Sequence, residues 1–249
     1  MWSSRVLFIG RLPDLEMHRQ AAALLCLGLD APFDVRVEAG QAVRTRSALV
    51  APQLMHAVDT HGSACAYLLF DPDSDDYEYL RTGSARETIR GIVTDFAEET
   101  RWIQTLTQVG KTHEPAATHA VLESLDFGRS AAPRAMIDAR IQTVIALLIA
   151  DTGESVPLEK LAQQVDISAS RLAHLFKEQV GTPIRMFRTW YRLKSAAQLL
   201  SEGMTLTDAA LRAGFYDSAH FANTFRDTFG LSPSSVFSQQ RPLKWFIAS

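Results

Sequence analysis

Cysteine is scarce in this sequence, with only Cys26 and Cys65 among 249 residues. Both stand in apolar surroundings, far apart in the sequence and without the paired spacing of a zinc site or a disulfide framework. We therefore expect two reduced thiols in the core and neither a structural metal nor a disulfide.

Long apolar runs are missing as well. No stretch of about 18 apolar residues occurs, which argues against a membrane-spanning helix. The first residues, MWSSRVLFIGRLP, lack the basic segment and long apolar core of a secretion signal. The sequence therefore predicts a cytoplasmic protein without a membrane partner.

An overall excess of basic charge is also absent, because the net charge is −3. The two halves differ, however: residues 1–132 hold 12 Lys and Arg against 18 Asp and Glu, whereas residues 133–249 hold 13 against 10. The second half is the basic one, which favours a nucleic-acid partner there, although an ordinary solvated surface is the alternative. The basic residues that cluster in this half are Arg171, Lys177, Arg185, Arg188, Arg192, Lys194 and Arg226.

The first half reads as strands followed by helices. Short apolar runs broken by turn residues fill 5–80, a spacing that predicts a small β-barrel or sandwich. From Ser84 the apolar residues recur at helical spacing, which predicts helices over 84–109 and 115–126. The apolar stripes of these helices fit a dimer interface or packing within one chain equally well.

A domain boundary is predicted in the small, polar, Pro-containing stretch 127–135. It separates a domain of residues 1–132 from one of residues 133–249, and 249 residues with 47% hydrophobic content suffice for two such domains. The second domain should begin with an apolar helix over 135–150. We thus expect an α+β protein with an all-α second domain.

The second domain holds a duplicated pattern. In the later copy a Gly turn precedes a helix in which Phe221, Phe225 and Phe229 recur every four residues. About 49 residues upstream, Leu172 and Phe176 take equivalent places. A short apolar helix precedes each turn, so the sequence predicts two helix-turn-helix units.

One long helix should join the two units. Thr182 and Pro183 are a candidate cap and first-turn proline, and Gly203 ends the apolar pattern. About 19 residues at 1.5 Å each span ~28 Å, close to the ~34 Å between successive major-groove faces of B-DNA. A single chain could therefore read two adjacent segments of major groove.

These motifs resemble the AraC/XylS family of bacterial transcription regulators over residues 135–237. The family's A-x-x-x-G-F turn stands at 210–215, its D-x-x-x-F-x-x-x-F-[KR] recognition helix at 217–226, and its final F-G-x-S-P at 229–233. Asp166 replaces the glycine usual in the first turn, and Asp tolerates left-handed backbone better than most residues.

The resemblance implies that two recognition helices, 168–180 and 217–229, face DNA with their outward side chains. Arg171 has the fork geometry for guanine, Asn223 could pair with adenine, and Ala222 could touch a thymine methyl. Lys177 and Arg226 occupy the same later position in each copy, which favours phosphate contact. The expected base contacts are Ser170, Arg171, Ala173, His174, Ser218, His220, Ala222 and Asn223, and the expected phosphate contacts are Lys177, Arg185, Arg188 and Arg226.

The first domain resembles, more weakly, the cupin-like sensor and dimerisation domain of many such regulators. His18 with Gln20, and Pro52 followed by His56, echo parts of the cupin metal motifs, but the ligand set is incomplete. We therefore assign no metal and no cofactor. We expect His18, Gln20 and His56 to bind a small-molecule effector, with hydrogen-bonded interior groups as the alternative reading.

The resemblance further implies a homodimer and contacts with RNA polymerase. The main alternative function is a metal-dependent cupin enzyme that uses His18 and His56 and carries an accessory helical domain. DNA-repair methyl-transfer proteins share such helical units but need a reactive Cys in an electropositive setting, which Cys26 and Cys65 do not offer. A regulator that is not an enzyme is therefore the preferred interpretation.

Overall fold

The computed structural model describes residues 5–38, 40–82, 86–89, 91–111, 125, 137–150, 156–237 and 244–247. Its first part is rich in strands. They are β1 (Arg5–Gly10), β2 (Leu15–His18), β3 (Ala23–Gly28), β4 (Phe33–Val37), β5 (Ala42–Thr45), β6 (Ser47–Val50), β7 (His56–Asp59), β8 (Cys65–Phe70), β9 (Arg86–Ile89), β10 (Ile92–Thr94) and, near the end of the chain, β11 (Lys244–Ile247).

The strands form two antiparallel sheets. A seven-stranded sheet has the order β11-β1-β8-β3-β6-β10-β9, and a four-stranded sheet has the order β2-β7-β4-β5. The central strands β3 and β8, with sequences ALLCLG and CAYLLF, are buried along their whole length. A strand covered on both faces needs such a continuous apolar run, so the strands predicted from these runs are confirmed.

The helices lie mostly in the second half of the chain. They are α1 (Asp75–Thr82), α2 (Glu99–Lys111), α3 (Ala139–Ala150), α4 (Leu158–Gln164), α5 (Ala169–Val180), α6 (Ile184–Ser201), α7 (Leu206–Arg212), α8 (Ser218–Phe229) and α9 (Pro233–Phe237). The predicted α+β class, with strands first and paired helical units after them, is confirmed.

The helix predicted over 84–109 is wrong in its first half. Residues 86–89 and 92–94 are the hairpin strands β9 and β10, and only 99–111 is helical. Gly91 lies between these strands with a φ of 83°, which a helix does not accommodate. The spacing of Ile89, Ile92 and Val93 suits a helix, but these β-branched residues pair as strands.

One core lies on the outer face of the large sheet. Leu7, Leu25 and Leu68 from three neighbouring strands pack there with Trp102 and Leu106 of α2. Phe96 meets Trp102 with ring centroids 5.4 Å apart. The apolar stripe of α2 therefore packs within its own chain. Of the two alternatives for this stripe, packing within one chain is the one observed, so the stripe no longer supports a dimer interface.

A buried ion pair ties α1 to the first strand. The guanidinium of Arg5 donates two hydrogen bonds of 2.7 Å to the carboxylate of Asp76 and a third, of 3.0 Å, to the carbonyl of Leu125. Both charged side chains are nearly inaccessible to water. Because each charge has its partner, the pair fixes the position of α1 without leaving an uncompensated ion.

The chain divides into two compact units. One combines Met1–Ala131 with Phe225–Ser249, and the other is Ala132–Thr224. The boundary that we predicted between residues 132 and 133, the stretch 127–135 around it and the helix over 115–126 lie outside the described residues, save Leu125, and stay predictions.

Candidate nucleic-acid interface and buried cavity

The two helix-turn-helix units share the same backbone turn. In the first, Asp166 N and Ile167 N donate to the carbonyls of Gln163 and Ala162. In the second, Gly214 N and Phe215 N donate to those of Leu211 and Ala210. Asp166 and Gly214 are both left-handed, with φ values of 53° and 85°. The duplication inferred from the sequence is therefore present at the level of individual hydrogen bonds.

The start of each recognition helix is capped in the same way. Ser168 accepts a hydrogen bond from Arg171 N at 3.2 Å, and Asp217 accepts one from His220 N at 2.6 Å. Each cap satisfies an amide that the first turn of a helix leaves without a partner. The second unit differs by one additional residue before its cap, Tyr216, whose surface is 86% exposed.

The conformation of Asp166 gives a stability prediction. A β-branched residue is strained in left-handed backbone, whereas Asn visits it readily. We expect Asp166→Val to lower the free energy of unfolding by about 1–2 kcal/mol. Asp166→Asn is the matched control and should change it by less than about 0.5 kcal/mol. Urea denaturation measures both, and equal losses would contradict strain as the cause.

Apolar residues hold the recognition helices in place. Leu172 and Phe176 of α5 are fully buried, and the Phe176 ring meets Phe187 of α6 edge-on at 5.3 Å. In the second unit Phe221 packs edge-on against Phe215 at 5.2 Å. The apolar stripes predicted from the four-residue spacing are thus the anchored faces of the helices.

The opposite faces carry the predicted base-contact residues. Ser170, Arg171 and His174 are exposed on α5, and His220 and Asn223 are exposed on α8. The smaller side chains among those predicted, Ala173, Ser218 and Ala222, are half-buried beside them. All eight lie on the two recognition helices, although their contact with bases stays a prediction.

The ring of His220 is held by its own turn. Its Nδ1 accepts a hydrogen bond of 3.3 Å from Tyr216 N, and its face meets the Phe215 ring edge-on at 5.5 Å. An acceptor at Nδ1 in a neutral imidazole requires the proton at Nε2. His220 therefore offers a single outward N–H donor.

The basic residues divide into surface and structural groups. Lys177, Arg185 and Arg226 are exposed. Arg188 is half-buried and donates a hydrogen bond to the carbonyl of Val156, so part of its guanidinium serves the fold. Lys194, which we grouped with the basic cluster, is buried: it is 2% exposed, and its Nζ lies 5.2 Å from the centre of the Tyr191 ring.

A pair of histidines lies inside the first unit. His18 of β2 and His56 of β7 are cross-strand partners, with ring centroids 4.3 Å apart. Each Nδ1 lies within hydrogen-bond distance of a carbonyl two residues earlier, that of Glu16 at 2.7 Å and that of Leu54 at 2.9 Å. Because a carbonyl only accepts, both Nδ1 atoms carry the hydrogen and both Nε2 atoms are acceptors.

Burial keeps both rings neutral. Desolvation and, to a smaller extent, the neighbouring His18 lower the pKa of His56 to about 3, against the raising effect of its hydrogen bond to the Leu54 carbonyl. Desolvation also lowers the pKa of His18, opposed by its bond to Glu16. Neither Nε2 has a hydrogen-bond partner among the described residues.

Because of the histidine pair, we expect the stability of the folded protein to fall at acid pH. Because its pKa is lower in the folded state, His56 takes up a proton first in the unfolded chain as pH falls. The free energy of unfolding should therefore be highest above about pH 6.5 and fall by roughly 1 kcal/mol per pH unit towards pH 3. Urea titrations between pH 7 and 4.5 measure the slope.

Two variants separate this effect from general acid denaturation. His56→Gln removes the buried titrating ring and should flatten the slope. His61→Asn is the control for the loss of an exposed histidine, since His61 is in left-handed backbone with a φ of 51°, which Asn tolerates. An unaltered slope in His56→Gln would show that other groups set the acid limit.

A cavity of about 30 Å³ opens beside His18 within the first unit. That volume holds about two water molecules. Both sheets contribute to its wall, as does the segment that follows residue 224. The lining residues are Phe8, Leu12, Leu15, His18, Gln20, Leu24, Tyr67, Leu69, Phe225, Phe229, Leu231 and Val236. Of the three predicted effector-binding residues, His18 and Gln20 line it, whereas His56 contacts the ring of His18.

The two cysteines are closer than their sequence positions suggest. β3 pairs with β8 so that Cys26 lies opposite Tyr67 and Cys65 lies two residues earlier on the same strand. Both thiols are free and buried, as expected for reduced core residues. Burial raises the pKa of Cys26, with Cys65 adding to the effect. The Cys26 thiol is therefore protonated and unreactive.

Sequence reasoning missed most of the cavity. Tyr67 is a buried residue of an apolar strand, and nothing in the sequence indicates that it lines the same cavity as His18 and Gln20. Phe229 and Leu231 were assigned only to the second helix-turn-helix unit.

Within the described residues, no group of three or more His, Cys, Asp or Glu side chains is placed to hold a metal ion. None of the described helices is both long and apolar enough to cross a bilayer.

Known proteins resemble this chain in sequence over its second half. Residues 161–239 match the helix-turn-helix domain family. The activator RhaS of Klebsiella pneumoniae is 33% identical over 100 residues, which are 40% of this chain and 36% of RhaS. The arabinose operon regulatory protein of Escherichia coli is 36% identical over 78 residues, 31% of this chain and 27% of that protein. The matched region spans about a third of these relatives.

Solved structures resemble the chain over nearly its whole length. A lysine-to-alanine variant of apo ToxT from Vibrio cholerae has a TM-score of 0.62 at 11% identity, covering 94% of this chain and 97% of ToxT. Wild-type ToxT with a bound unsaturated fatty acid has a TM-score of 0.59 at 12% identity, covering 95% and 96%. At this identity the similarity establishes the fold: strands first, then paired helical units.

Proposed function

We propose that the protein is a sequence-specific DNA-binding regulator of transcription, because residues 161–239 match a helix-turn-helix domain family and the relatives matched in sequence over this region are named as regulators. In this proposal it reads two adjacent major-groove segments under the control of a small-molecule effector bound in the β-rich unit. The duplicated turn and cap hydrogen bonds carry the proposal, because they present two equivalent helices with anchored apolar faces and exposed polar ones.

The spacing of the units supports reading of two grooves. The connecting helix α6 has 18 residues and is therefore about 27 Å long. Successive major-groove faces on one side of B-DNA lie ~34 Å apart. A stiff helix of that length separates two recognition helices by about one turn of DNA, and some bending of the DNA would close the remaining gap.

Arg171 and His220 occupy equivalent positions, three residues after the cap of each recognition helix. In the proposed complex the Arg171 guanidinium donates to the O6 and N7 acceptors of one guanine. His220 presents one donor at Nε2, which suits a single acceptor such as guanine N7 or thymine O4. One turn further along, His174 and Asn223 form the next pair, and Asn223 suits adenine.

The phosphate contacts follow from charge and exposure. Lys177 and Arg226 are exposed at matching positions near the end of each recognition helix, and Arg185 is exposed at the start of α6. Cations at these places can neutralise backbone phosphates without reading sequence. Arg188, half-buried on α6, completes the proposed set.

The effector part of the proposal is supported by the cavity and by the fold. ToxT, which has this fold, has been solved with a bound unsaturated fatty acid. Here His18 and Gln20 place buried polar atoms in an otherwise apolar cavity. Such a site, mostly apolar with a few polar groups, is the usual character of a small-molecule pocket.

The proposal also covers the protein's other partners, its location and the alternative that it is an enzyme. We include a homodimer, contacts with RNA polymerase and a cytoplasmic location as expectations from the family. A metal-dependent enzyme would need more ligands than the pair His18 and His56 provides. The relatives matched in sequence are named as transcription regulators, and this chain is proposed to share their role and not to be an enzyme.

A footprint on the DNA flanking its own gene tests the function, beside metal analysis of the purified protein. We expect two protected major-groove segments about one helical turn apart and no stoichiometric metal. Stoichiometric iron or manganese together with an absent footprint would favour the enzyme.

A further inference from the structure

We propose that the cavity beside His18 binds a small, uncharged, apolar molecule that carries a hydroxyl group, either an aliphatic alcohol or a phenol. Binding of this ligand displaces residues 229–236, the chain segment that closes the cavity. The inference rests on the proposed function in that it names the chemical class of the effector. Its support comes from three polar atoms, from the charge of the wall and from one backbone hydrogen bond.

The three polar atoms fit a hydroxyl group. His18 Nε2 is an acceptor, because Nδ1 donates to the Glu16 carbonyl. Gln20 Nε2 is a donor. Both atoms are buried and have no hydrogen-bond partner among the described residues. A hydroxyl group both donates and accepts, so one such group satisfies the two together.

Tyr67 supplies the third polar atom. Its hydroxyl lies beside the Cys65 thiol and has no oxygen or nitrogen partner in the described part of the chain. Burial raises its pKa, and the neighbouring thiols of Cys26 and Cys65 add to the effect. The phenol is therefore neutral and can donate to the ligand's oxygen. Buried polar groups that lack partners cost stability, and a ligand that pairs them removes that cost.

The charge of the wall excludes an anion. The described residues that line the cavity include neither Lys nor Arg, and both histidines of the pair are neutral. A carboxylate would face the lone pair of His18 Nε2 without a compensating cation, and an unpaired ion in an apolar site is strongly disfavoured. This separates the proposed ligand from a fatty-acid anion.

The size of the cavity requires one wall to move. A volume of about 30 Å³ is far smaller than a pocket for an organic ligand, which is typically at least 300 Å³. Half of the lining residues belong to paired strands, and Leu12 and Gln20 lie in the loops beside those strands. The remaining wall comes from α8, the loop after it and α9, where Phe229, Leu231 and Val236 follow Phe225. This segment is the part that can be displaced without breaking a sheet.

A short hydrogen-bonded relay joins this segment to the ligand site. Gly230 O accepts from Glu16 N at 2.9 Å, and Glu16 O accepts from His18 Nδ1 at 2.7 Å. The approach is close enough that a Cβ at position 230 would overlap the backbone of Glu16. Since α8 ends at residue 229, a ligand on His18 lies two hydrogen bonds from the end of the second recognition helix.

Matched pairs of compounds test the ligand class with the full chain. We would use 1-octanol against octanoate, and 4-ethylphenol against 4-ethylbenzoate, each titrated by calorimetry and in thermal unfolding. At least one hydroxyl compound should bind saturably and raise Tm with concentration, whereas neither carboxylate should. Binding of the carboxylates with equal or higher affinity, or of none of the four compounds, would overturn the inference.

Variants test the site itself. Gln20→Leu removes the amide whose Nε2 lacks a partner, and Tyr67→Phe removes a hydroxyl that lacks an oxygen or nitrogen partner. Both variants should fold at least as stably as the natural chain yet bind the hydroxyl compound about ten-fold more weakly. Thr60→Val is the matched control, because Thr60 Oγ1 is also buried without a partner in the described residues but does not line the cavity. A loss of affinity in Thr60→Val as large as in Tyr67→Phe would argue against the assigned site.

Hydrogen exchange tests the displaced segment. Saturation with the hydroxyl compound should raise amide exchange in residues 229–236 and leave the strands β3 and β8 protected. Unchanged exchange in that segment would overturn the displacement. The footprint is measured on the same protein without ligand: a footprint without binding of a hydroxyl compound refutes this inference alone, and hydroxyl binding without a footprint refutes the regulatory function.

Discussion

Replacing Phe225 by alanine is expected to lower the free energy of unfolding by about 3–5 kcal/mol. Phe225 is 2% exposed, and its ring packs against Phe229 at 4.6 Å and edge-on against Phe237 at 5.7 Å. Truncation removes the buried ring and leaves a hole between two other aromatic side chains. Urea denaturation followed by circular dichroism measures the loss, and DNA binding should fall with it as an indirect effect.

Two exposed residues of the same helix serve as controls. Asp227→Ala should change the free energy of unfolding by no more than about 0.5 kcal/mol. Asn223→Ala should likewise preserve stability while weakening the preference for one base pair. If Phe225→Ala kept normal stability and still lost DNA binding, Phe225 would be a DNA contact and not a core residue.

Replacing Arg171 by alanine should relax sequence preference at one base pair, at a cost of about 1–3 kcal/mol or roughly 5- to 150-fold in affinity for the preferred site. Arg171 is exposed three residues after the Ser168 cap, and in the proposed complex its guanidinium contacts a guanine edge. Binding to a library of sites at fixed salt measures the change. Affinity for unrelated DNA should be nearly unaffected.

Lys177→Ala should weaken DNA binding without changing which sequence is preferred, in contrast to Arg171→Ala. Removing one phosphate contact weakens binding to all sequences alike and reduces the slope of log affinity against log salt by about 1. Glu178→Ala, at the exposed neighbouring position, is the control and should not weaken binding. If Arg171→Ala and Lys177→Ala gave the same salt slope and the same loss of preference, the division into base and phosphate contacts would be wrong.

The helix-turn-helix units could be predicted from sequence because the residues that define them lie close together in the chain. An apolar residue every four positions defines the anchored face, and the turn and cap residues mark where each helix begins. The structure differs by a residue at most: Pro183, and not Thr182, takes the N-cap position of α6. Asp166 was expected to tolerate left-handed backbone, and its φ of 53° confirms that expectation.

The strands were harder to predict where the same apolar residues fit both a helical pattern and a strand pattern. Ile89, Ile92, Val93 and Phe96 fit a helical stripe, yet the first three pair in an antiparallel hairpin. Local spacing cannot decide between these readings, because β10 is stabilised by pairing with the distant β6. The short strands β2, β5 and β11 likewise depend on partners that sequence periodicity does not reveal.

The cavity depends most on long-range structure. His18 and Gln20 were identified as candidate effector-binding residues by a faint resemblance, but their arrangement arises from the pairing of β2 with β7 and from packing between sheets. Tyr67 reaches the same place through strand register, since it pairs with Phe8 on one side and Cys26 on the other. Register of this kind is set by the complete fold.

The additional residue at Tyr216 sets a rule for engineering new specificities. Recognition helices exchanged between the two units must be joined at their caps, Ser168 with Asp217, because the left-handed residues Asp166 and Gly214 are one position out of step with them. A graft aligned on the left-handed residues would rotate the transplanted helix by about 100° about its axis. Its phenylalanines would then turn towards solvent, and the chimera would lose its hydrophobic anchor together with its reading surface.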